Sequence, residues 1–283
     1  MKITGRTKIV GLMGYPVSHT ISPAIHNAAF STLGLDWIYL PFEVRPEYLK
    51  EAIFGLKPLG MAGVNITIPH KVQALAYMDA LSEEAKIIGA INTIVVKEEG
   101  LFGDNTDGKG FINSIKDTGF SVSKKRVALI GAGGAGRAIS ISLAREGVQT
   151  IYISDTDKEK CESLIGYIKN RFDILTLEMK DVSVIADIDL LVNATPCGMK
   201  EDDPLPIDPR FIHPDLLVYD LIYNPQKTRL LEEAERKGAK TFSGLAMLVY
   251  QAALSFSAWT GIRPPIDVMM NAAKSYQVAF KRN

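Results

Sequence analysis

Cysteine is scarce. The 283-residue chain has two, Cys161 and Cys197, in no C-x-x-C spacing. That argues against a disulfide framework and against a thiolate metal site. A net charge is missing as well: 32 basic residues balance 32 acidic ones, so neither nucleic acid nor a membrane surface is an expected partner. No apolar run approaches the roughly 18 residues that span a bilayer. The basic residues near the N-terminus are followed by no apolar stretch of the kind a secretion signal carries, and the expected location is cytoplasmic. The four histidines, His19, His26, His70 and His213, are scattered with no metal-ligand spacing, and no metal is expected. Repeats and low-complexity tracts are also lacking.

What is present is a globular composition, 47% hydrophobic, in a chain long enough for two domains with separate cores. Its strongest local signal lies near the middle. The apolar run Val127-Ala128-Leu129-Ile130 leads straight into Gly131-Ala132-Gly133-Gly134-Ala135-Gly136, and a helical pattern follows to Glu146. A glycine-spaced turn between a strand and a helix is the dinucleotide-binding arrangement. Gly131 permits the tight turn, Gly133 lets backbone approach a pyrophosphate, and Gly136 lets the helix pack close on the strand. The helix N-terminus adds unpaired N–H donors and partial positive charge for phosphates.

Strand and helix signals alternate around this turn. Strands are predicted at Lys8–Met13, Trp37–Val44, Ala62–Thr67, 126–130, 149–154, Asp189–Ala194 and Leu216–Leu221, with a hairpin around Glu99-Gly100. Helices are predicted from Ser22 to about Leu33, at Glu47–Gly55, from His70, and at Ser82–Ile88, Thr106–Thr118, 135–146, 157–170, Gly244–Trp259 and from Ile266 to about Phe280. Ser22 reads as the N-cap of the first helix, with Pro23 behind it. His70 reads as a surface residue at a helix start. The alternation predicts an α/β protein with parallel strands covered on both faces. Three segments follow: an N-terminal α/β domain over 1–106, a dinucleotide-binding domain over 107–250, and C-terminal helices over 251–283 that return to the first domain.

Polar clusters gather at the predicted strand ends, where open α/β sheets bind ligands. They are Ser18-His19-Thr20-Ile21-Ser22-Pro23, Asn65-Ile66-Thr67-Ile68-Pro69-His70-Lys71, Gly89-Ala90-Ile91-Asn92-Thr93 and Gly103-Asp104-Asn105-Thr106-Asp107. Behind the glycine turn come Asn193-Ala194-Thr195-Pro196-Cys197-Gly198-Met199, Asp220-Leu221-Ile222-Tyr223-Asn224-Pro225 and Gly244-Leu245-Ala246-Met247-Leu248-Val249-Tyr250-Gln251. Taken in order, over about residues 9–262, this set resembles the shikimate dehydrogenase family. The resemblance implies a substrate domain, a Rossmann-type doubly wound nucleotide domain and a closing cleft between them. It implies reversible reduction of 3-dehydroshikimate to shikimate with NAD or NADP, in aromatic amino-acid biosynthesis, by a monomer or homodimer.

Reducing a ring ketone needs a hydride donor and a proton for the developing alkoxide, and Lys71 with Asp107 is the pair that fits. A lysine ammonium can donate to the oxygen, or the free amine can accept in the oxidative direction. The resemblance places substrate binding at Thr20, Ser22, Thr67, Asn92, Asp107, Tyr223 and Gln251. Hydroxyls beside a helix N-terminus suit a carboxylate, while Asn and Gln both donate and accept, as vicinal hydroxyls require. Cofactor contacts are implied at Gly131, Ala132, Gly133, Gly134, Ala135, Gly136, Asp155, Leu221 and Gly244. Cys197 reads as a loop residue near the nicotinamide.

Two positions depart from the family's commoner form. Thr20 stands where serine is usual, adding a methyl that bears on the choice between shikimate and the bulkier quinate. Ser154-Asp155-Thr156-Asp157-Lys158-Glu159-Lys160 stands where NADP-using members carry Asn-Arg-Thr and a second arginine. Asp155, 24 residues past Gly131, would accept hydrogen bonds from a ribose 2′-hydroxyl and repel a 2′-phosphate, favouring NAD. Lys158 and Lys160 work in the opposite direction. The alternatives are an NAD-dependent quinate/shikimate dehydrogenase acting catabolically, a non-catalytic sensor on the same fold, and a different two-domain Rossmann enzyme such as a folate dehydrogenase.

Overall fold

The computed structural model describes residues 3–280. They fall into two compact units. The residues up to Gly110, joined by those from Val249 onward, form the first; Phe111–Leu248 form the second.

The first unit begins with β1 (Lys8–Gly14), α1 (Ser22–Thr32) and β2 (Trp37–Glu43), followed by α2 (Leu49–Gly55) and β3 (Gly63–Ile66). Then come β4 (Ala80–Leu81), α3 (Glu83–Ile88), β5 (Thr93–Lys97) and β6 (Gly100–Asp104). Its six strands are ordered β2-β1-β3-β5-β6-β4. The β1–β2 and β1–β3 pairs are parallel, but β3–β5 and β5–β6 are antiparallel. The hairpin expected around Glu99-Gly100 is the antiparallel β5–β6 pair, and the sheet as a whole is mixed. The short Glu99-Gly100 connection leaves no room for a crossover helix, so the strand that follows must run back beside β5. Leu49, Ile53, Leu56, Val64, Ile66 and Ile94 fill one core of this sheet.

The chain enters the second unit inside α4 (Asp107–Lys116) and leaves it inside α8 (Leu245–Thr260), after which α9 (Ile266–Phe280) closes the fold. Between them run β7 (Arg126–Ile130), α5 (Gly134–Arg145), β8 (Thr150–Ser154), α6 (Lys158–Lys169), β9 (Leu175–Glu178), β10 (Leu190–Asn193), β11 (Leu217–Asp220), α7 (Arg229–Arg236) and β12 (Lys240–Ser243). The order β12-β11-β10-β7-β8-β9 is parallel throughout, winding outward both ways from β7. All four residues of both β10 and β11 are buried, as strands covered on two faces must be. In such a sheet ligands bind beyond the strand C-termini at the switch point, here between β7 and β10.

Local signals explain the boundaries. Ser82 caps α3 by accepting from the Ala85 N–H, and Gly89 ends that helix in the left-handed region at φ +69. Asp157 caps α6 and Thr228 caps α7 in the same way. Two expectations are corrected. Ser22 is the first helical residue of α1, behind Ile21 at the N-cap, and makes no capping bond. The stretch after His70 is a turn followed by a 3-10 segment at Gln73–Tyr77, so Lys71 lies on a turn before it.

Candidate active site

The strand register brings most of the expected substrate residues to one end of the first sheet. β1 and β3 run parallel and finish side by side, at Gly14 and Ile66; β5 starts at that end, with Thr93 opposite Asn65 and Asp104. Thr20 and Ser22 follow β1, Thr67 follows β3, Asn92 precedes β5, and Asp107 follows β6 at the start of α4. Thr67 lies against Gly14, where a β-carbon would come within 2.3 Å of its methyl.

Lys71 and Asp107 meet. Lys71 Nζ lies 2.6 Å from Asp107 Oδ2, the carboxylate almost fully buried and the lysine about one-fifth exposed (side-chain accessibilities 7% and 22%). Asp107 Oδ1 accepts from Asn92 Nδ2 at 2.8 Å, so each carboxylate oxygen has its own donor. The carboxylate opens helix α4, where the backbone N–H groups favour negative charge, and its own N–H donates to Asn105 Oδ1. Gln251, on α8, brings Oε1 to 3.4 Å from Asn92 Nδ2.

His70 is a correction. It is fully buried, with Nε2 2.6 Å from the Val44 carbonyl, and the next residue's carbonyl accepts from the Ile91 N–H. Partners distant in sequence thus tie down both sides of the turn that carries Lys71. Thr20 and Ser22 share a hydroxyl–hydroxyl contact at 3.2 Å, and Ser22 N–H donates to Thr20 Oγ1. Among the described residues no direct hydrogen bond joins either to Lys71 or Asp107; the Ser22 side chain bonds Tyr39, whose hydroxyl donates to Asn65 Oδ1.

Behind this group lies a buried polar layer to which sequence reasoning gave no role. Asn65 Nδ2 faces the Asn92 carbonyl, Thr93 Oγ1 and Ser255 Oγ within 3.2 Å, while its Oδ1 accepts from the Tyr39 hydroxyl. The available signal was spacing: Gln251 and Ser255 stand four apart in the apolar run of α8, and so share a face.

In the second unit the three glycines behave as their spacing predicts. Gly131 has φ +103, a conformation closed to most side chains. A β-carbon on Gly136 would sit 1.9 Å from the Gly131 carbonyl oxygen, whereas Gly133 and Gly134 face open space. An unobstructed backbone at a helix N-terminus is the cradle a pyrophosphate requires. Asp155 follows β8 and lies over the turn: Oδ2 accepts from the Ala132 N–H at 2.6 Å and Oδ1 from the Asp157 N–H at 2.8 Å. Lys160 is paired with Asp157 at 2.8 Å.

Leu221, Tyr223 and Gly244 gather beyond the C-terminal ends of β11 and β12. Gly244 packs so tightly that a β-carbon would meet the Leu221 carbonyl oxygen at 1.9 Å. Asp220, fully buried, is held by Thr228 Oγ1 at 2.6 Å, Asn193 Nδ2 at 3.0 Å and the Ile222 N–H at 3.1 Å. Burial still moves its carboxyl above the usual range, and burial raises the Tyr223 phenol as well. Cys197 lies in the loop after β10, its carbonyl accepting from Asn193. Among the described residues no group of three His, Cys, Asp or Glu could hold a metal, and no helix is long and apolar enough to cross a membrane.

A doubly wound parallel sheet with an open glycine turn at its switch point defines a dinucleotide-binding α/β protein. Comparison with known proteins narrows the class. Residues 12–94 match the shikimate dehydrogenase substrate binding domain, and 244–274 match the shikimate 5'-dehydrogenase C-terminal domain. A shikimate dehydrogenase (NADP(+)) of Desulforamulus reducens is 46% identical, covering 95% of this chain and 96% of its own. A shikimate dehydrogenase crystallised with NADP+ superposes with TM-score 0.91 at 40% identity, over 97% of both chains. The shikimate 5-dehydrogenase of Listeria monocytogenes, solved with shikimate and NAD, gives 0.89 at 36% identity, over 96% of this chain and 98% of its own. This chain belongs to the shikimate dehydrogenase family.

Proposed function

We propose that this protein interconverts 3-dehydroshikimate and shikimate, with NAD as the preferred cofactor. The observation that carries the reading is the Lys71–Asp107 contact of 2.6 Å, held at its far oxygen by Asn92. A bound nicotinamide dinucleotide supplies or takes the hydride. In the reductive direction Lys71 Nζ gives a proton to the developing alkoxide; in the oxidative direction Nζ receives it. Asp107 Oδ2 holds Nζ in place, because a short charge-assisted bond restricts the lysine stem. Asn92 and Gln251 offer both donors and acceptors to ring hydroxyls, and Thr20 and Ser22 offer hydroxyls to the carboxylate. Tyr223 stands at a position to which the family resemblance assigns a substrate contact. A non-catalytic sensor need not retain the Lys71–Asp107 pair, and an apolar ring would leave these donors unpaired at about 1–3 kcal/mol each.

Asp155 favours NAD. Each of its oxygens already accepts one backbone N–H, and a carboxylate oxygen can accept a second donor, so a ribose 2′-hydroxyl can be added. A 2′-phosphate would instead meet like charge. The Asp157 contact occupies Lys160, one of the two lysines able to offset that repulsion. The same residue, with Thr20, supports a second reading, an NAD-dependent enzyme that also accepts quinate.

Steady-state assays with shikimate and quinate, each with NAD and NADP, test the proposal. The expected result is turnover of shikimate with a higher kcat/KM for NAD; Asp155→Arg is expected to move the preference towards NADP. No shikimate turnover with either cofactor would defeat the reading of the activity. A wild-type preference for NADP would defeat the reading of Asp155 alone.

A further inference from the structure

The Ser255 hydroxyl sits where three parts of the first unit meet. It lies 2.9 Å from Asn65 Nδ2 on β3, 2.7 Å from Thr93 Oγ1 on β5, and 3.2 Å from the Gln251 carbonyl one turn earlier on α8. Thr106 Oγ1, just before α4, reaches the same Gln251 carbonyl at 3.1 Å. Asn65, Thr93, Thr106 and Ser255 are all buried.

Donor and acceptor capacities order the network. The Asn65 Nδ2 group can only donate, so the Ser255 oxygen accepts from it and has one proton to give. Three acceptors are in reach of that proton: Thr93 Oγ1, the Gln251 carbonyl and, at 3.5 Å, Thr106 Oγ1. Thr93 in turn donates to Asn92 Oδ1 at 2.9 Å, the atom that also accepts the Thr106 N–H at 2.9 Å. A backbone N–H is an obligatory donor, so Oδ1 must face Thr106 and Nδ2 must face Asp107. The orientation of the Asn92 amide, and the bond it gives Asp107, is thereby set from behind.

We infer that Ser255 is a positioning residue. Its hydroxyl pins the Gln251 turn of α8 to β3 and β5, and so fixes how Gln251 faces the substrate beside Asn92. The inference rests on the proposed dehydrogenase reading for its kinetic consequence, though not for the pin itself.

Ser255→Ala and Ser255→Thr in the full chain test it, with shikimate and NAD varied in turn. In Ser255→Ala the KM for shikimate is expected to rise about tenfold while that for NAD stays near the parent value, as loss of a buried partner on the substrate side alone would give. Ser255→Thr, which keeps the hydroxyl, is expected to restore the shikimate KM. A purely structural defect would instead lower the melting temperature and kcat with the KM unmoved. Hydrogen exchange over residues 249–256 reads the same pin without substrate: protection is expected to fall in Ser255→Ala and to return in Ser255→Thr. Should Ser255→Ala fail to fold, Thr106→Val removes the other hydroxyl from the Gln251 carbonyl and is expected to lower the same protection. An unchanged shikimate KM in an active Ser255→Ala, or unchanged exchange, overturns the inference. Absence of shikimate turnover in the parent overturns the proposed activity and leaves the exchange result to decide the pin.

Discussion

His26 shows how much one buried side chain can depend on proton concentration. Its ring stacks on Tyr39 at 4.3 Å and 3° and touches Phe256 and Trp259, with both nitrogens buried and unpartnered. Burial holds its pKa down at about 3. In the unfolded chain histidine titrates near 6.5. Between those values the unfolded state binds the extra proton, so stability falls as pH drops from about 6.5 towards 3, by up to about 1.4 kcal/mol per unit. His26→Phe keeps an aromatic ring in the stack and deletes the titration. Thermal melts at pH 7 and pH 5 are expected to differ less in His26→Phe than in the parent; equal pH sensitivity in both would refute this assignment. Residues of this kind are hard to read from sequence, because nothing local distinguishes His26, or the buried His70, from a surface histidine. Lys71 and Asp107 were legible because each sits in a dense polar motif at a strand end.

At the scale of elements, helices and central strands were largely legible, since period and caps are local. The strands missed lie at sheet edges: two-residue β4 in the first sheet, and β9 and β12 in the second, which carry charged or exposed residues. Edge strands need fewer apolar side chains, so the periodic signal weakens. The approach of α4 to α8 was equally invisible. A β-carbon on Gly110 would stand 2.8 Å from the Gln251 backbone nitrogen and side-chain β-carbon. Gly110→Ala gains helix propensity, about 1 kcal/mol, yet must push α8 away and carry Gln251 with it. The expected outcome is a raised KM for shikimate with little change for the dinucleotide, and an unaltered shikimate KM would show that the helices can yield.

For the whole molecule, the glycine turn and the strand–helix alternation revealed the α/β class, and the doubly wound second sheet follows that pattern. In the mixed first sheet the β5–β6 hairpin was legible from its short connection, whereas the antiparallel β3–β5 pairing was not, because it depends on which neighbour a strand finds. The proposed substrate and cofactor residues fall mostly in different compact units: Lys71, Asn92, Asp107 and Gln251 in one, Gly131 to Gly136 and Asp155 in the other. Lys71→Ala is therefore expected to lose turnover by about 10²–10⁴-fold while NAD still raises the melting temperature as it does in the parent. Loss of that thermal shift together with activity would mean that the lysine supports the fold rather than the proton transfer.

Asp155 also bears on redesign. Its Oδ2 accepts the Ala132 N–H inside the glycine turn, so the residue proposed to read the ribose also braces the glycine turn proposed for the pyrophosphate. Any exchange of cofactor preference at this position changes two things at once. An arginine brings charge for a phosphate but no acceptor, leaving the Ala132 N–H to find another partner. A substitution that transfers preference without loss of affinity must return an acceptor to that amide, from a second position if position 155 no longer provides one.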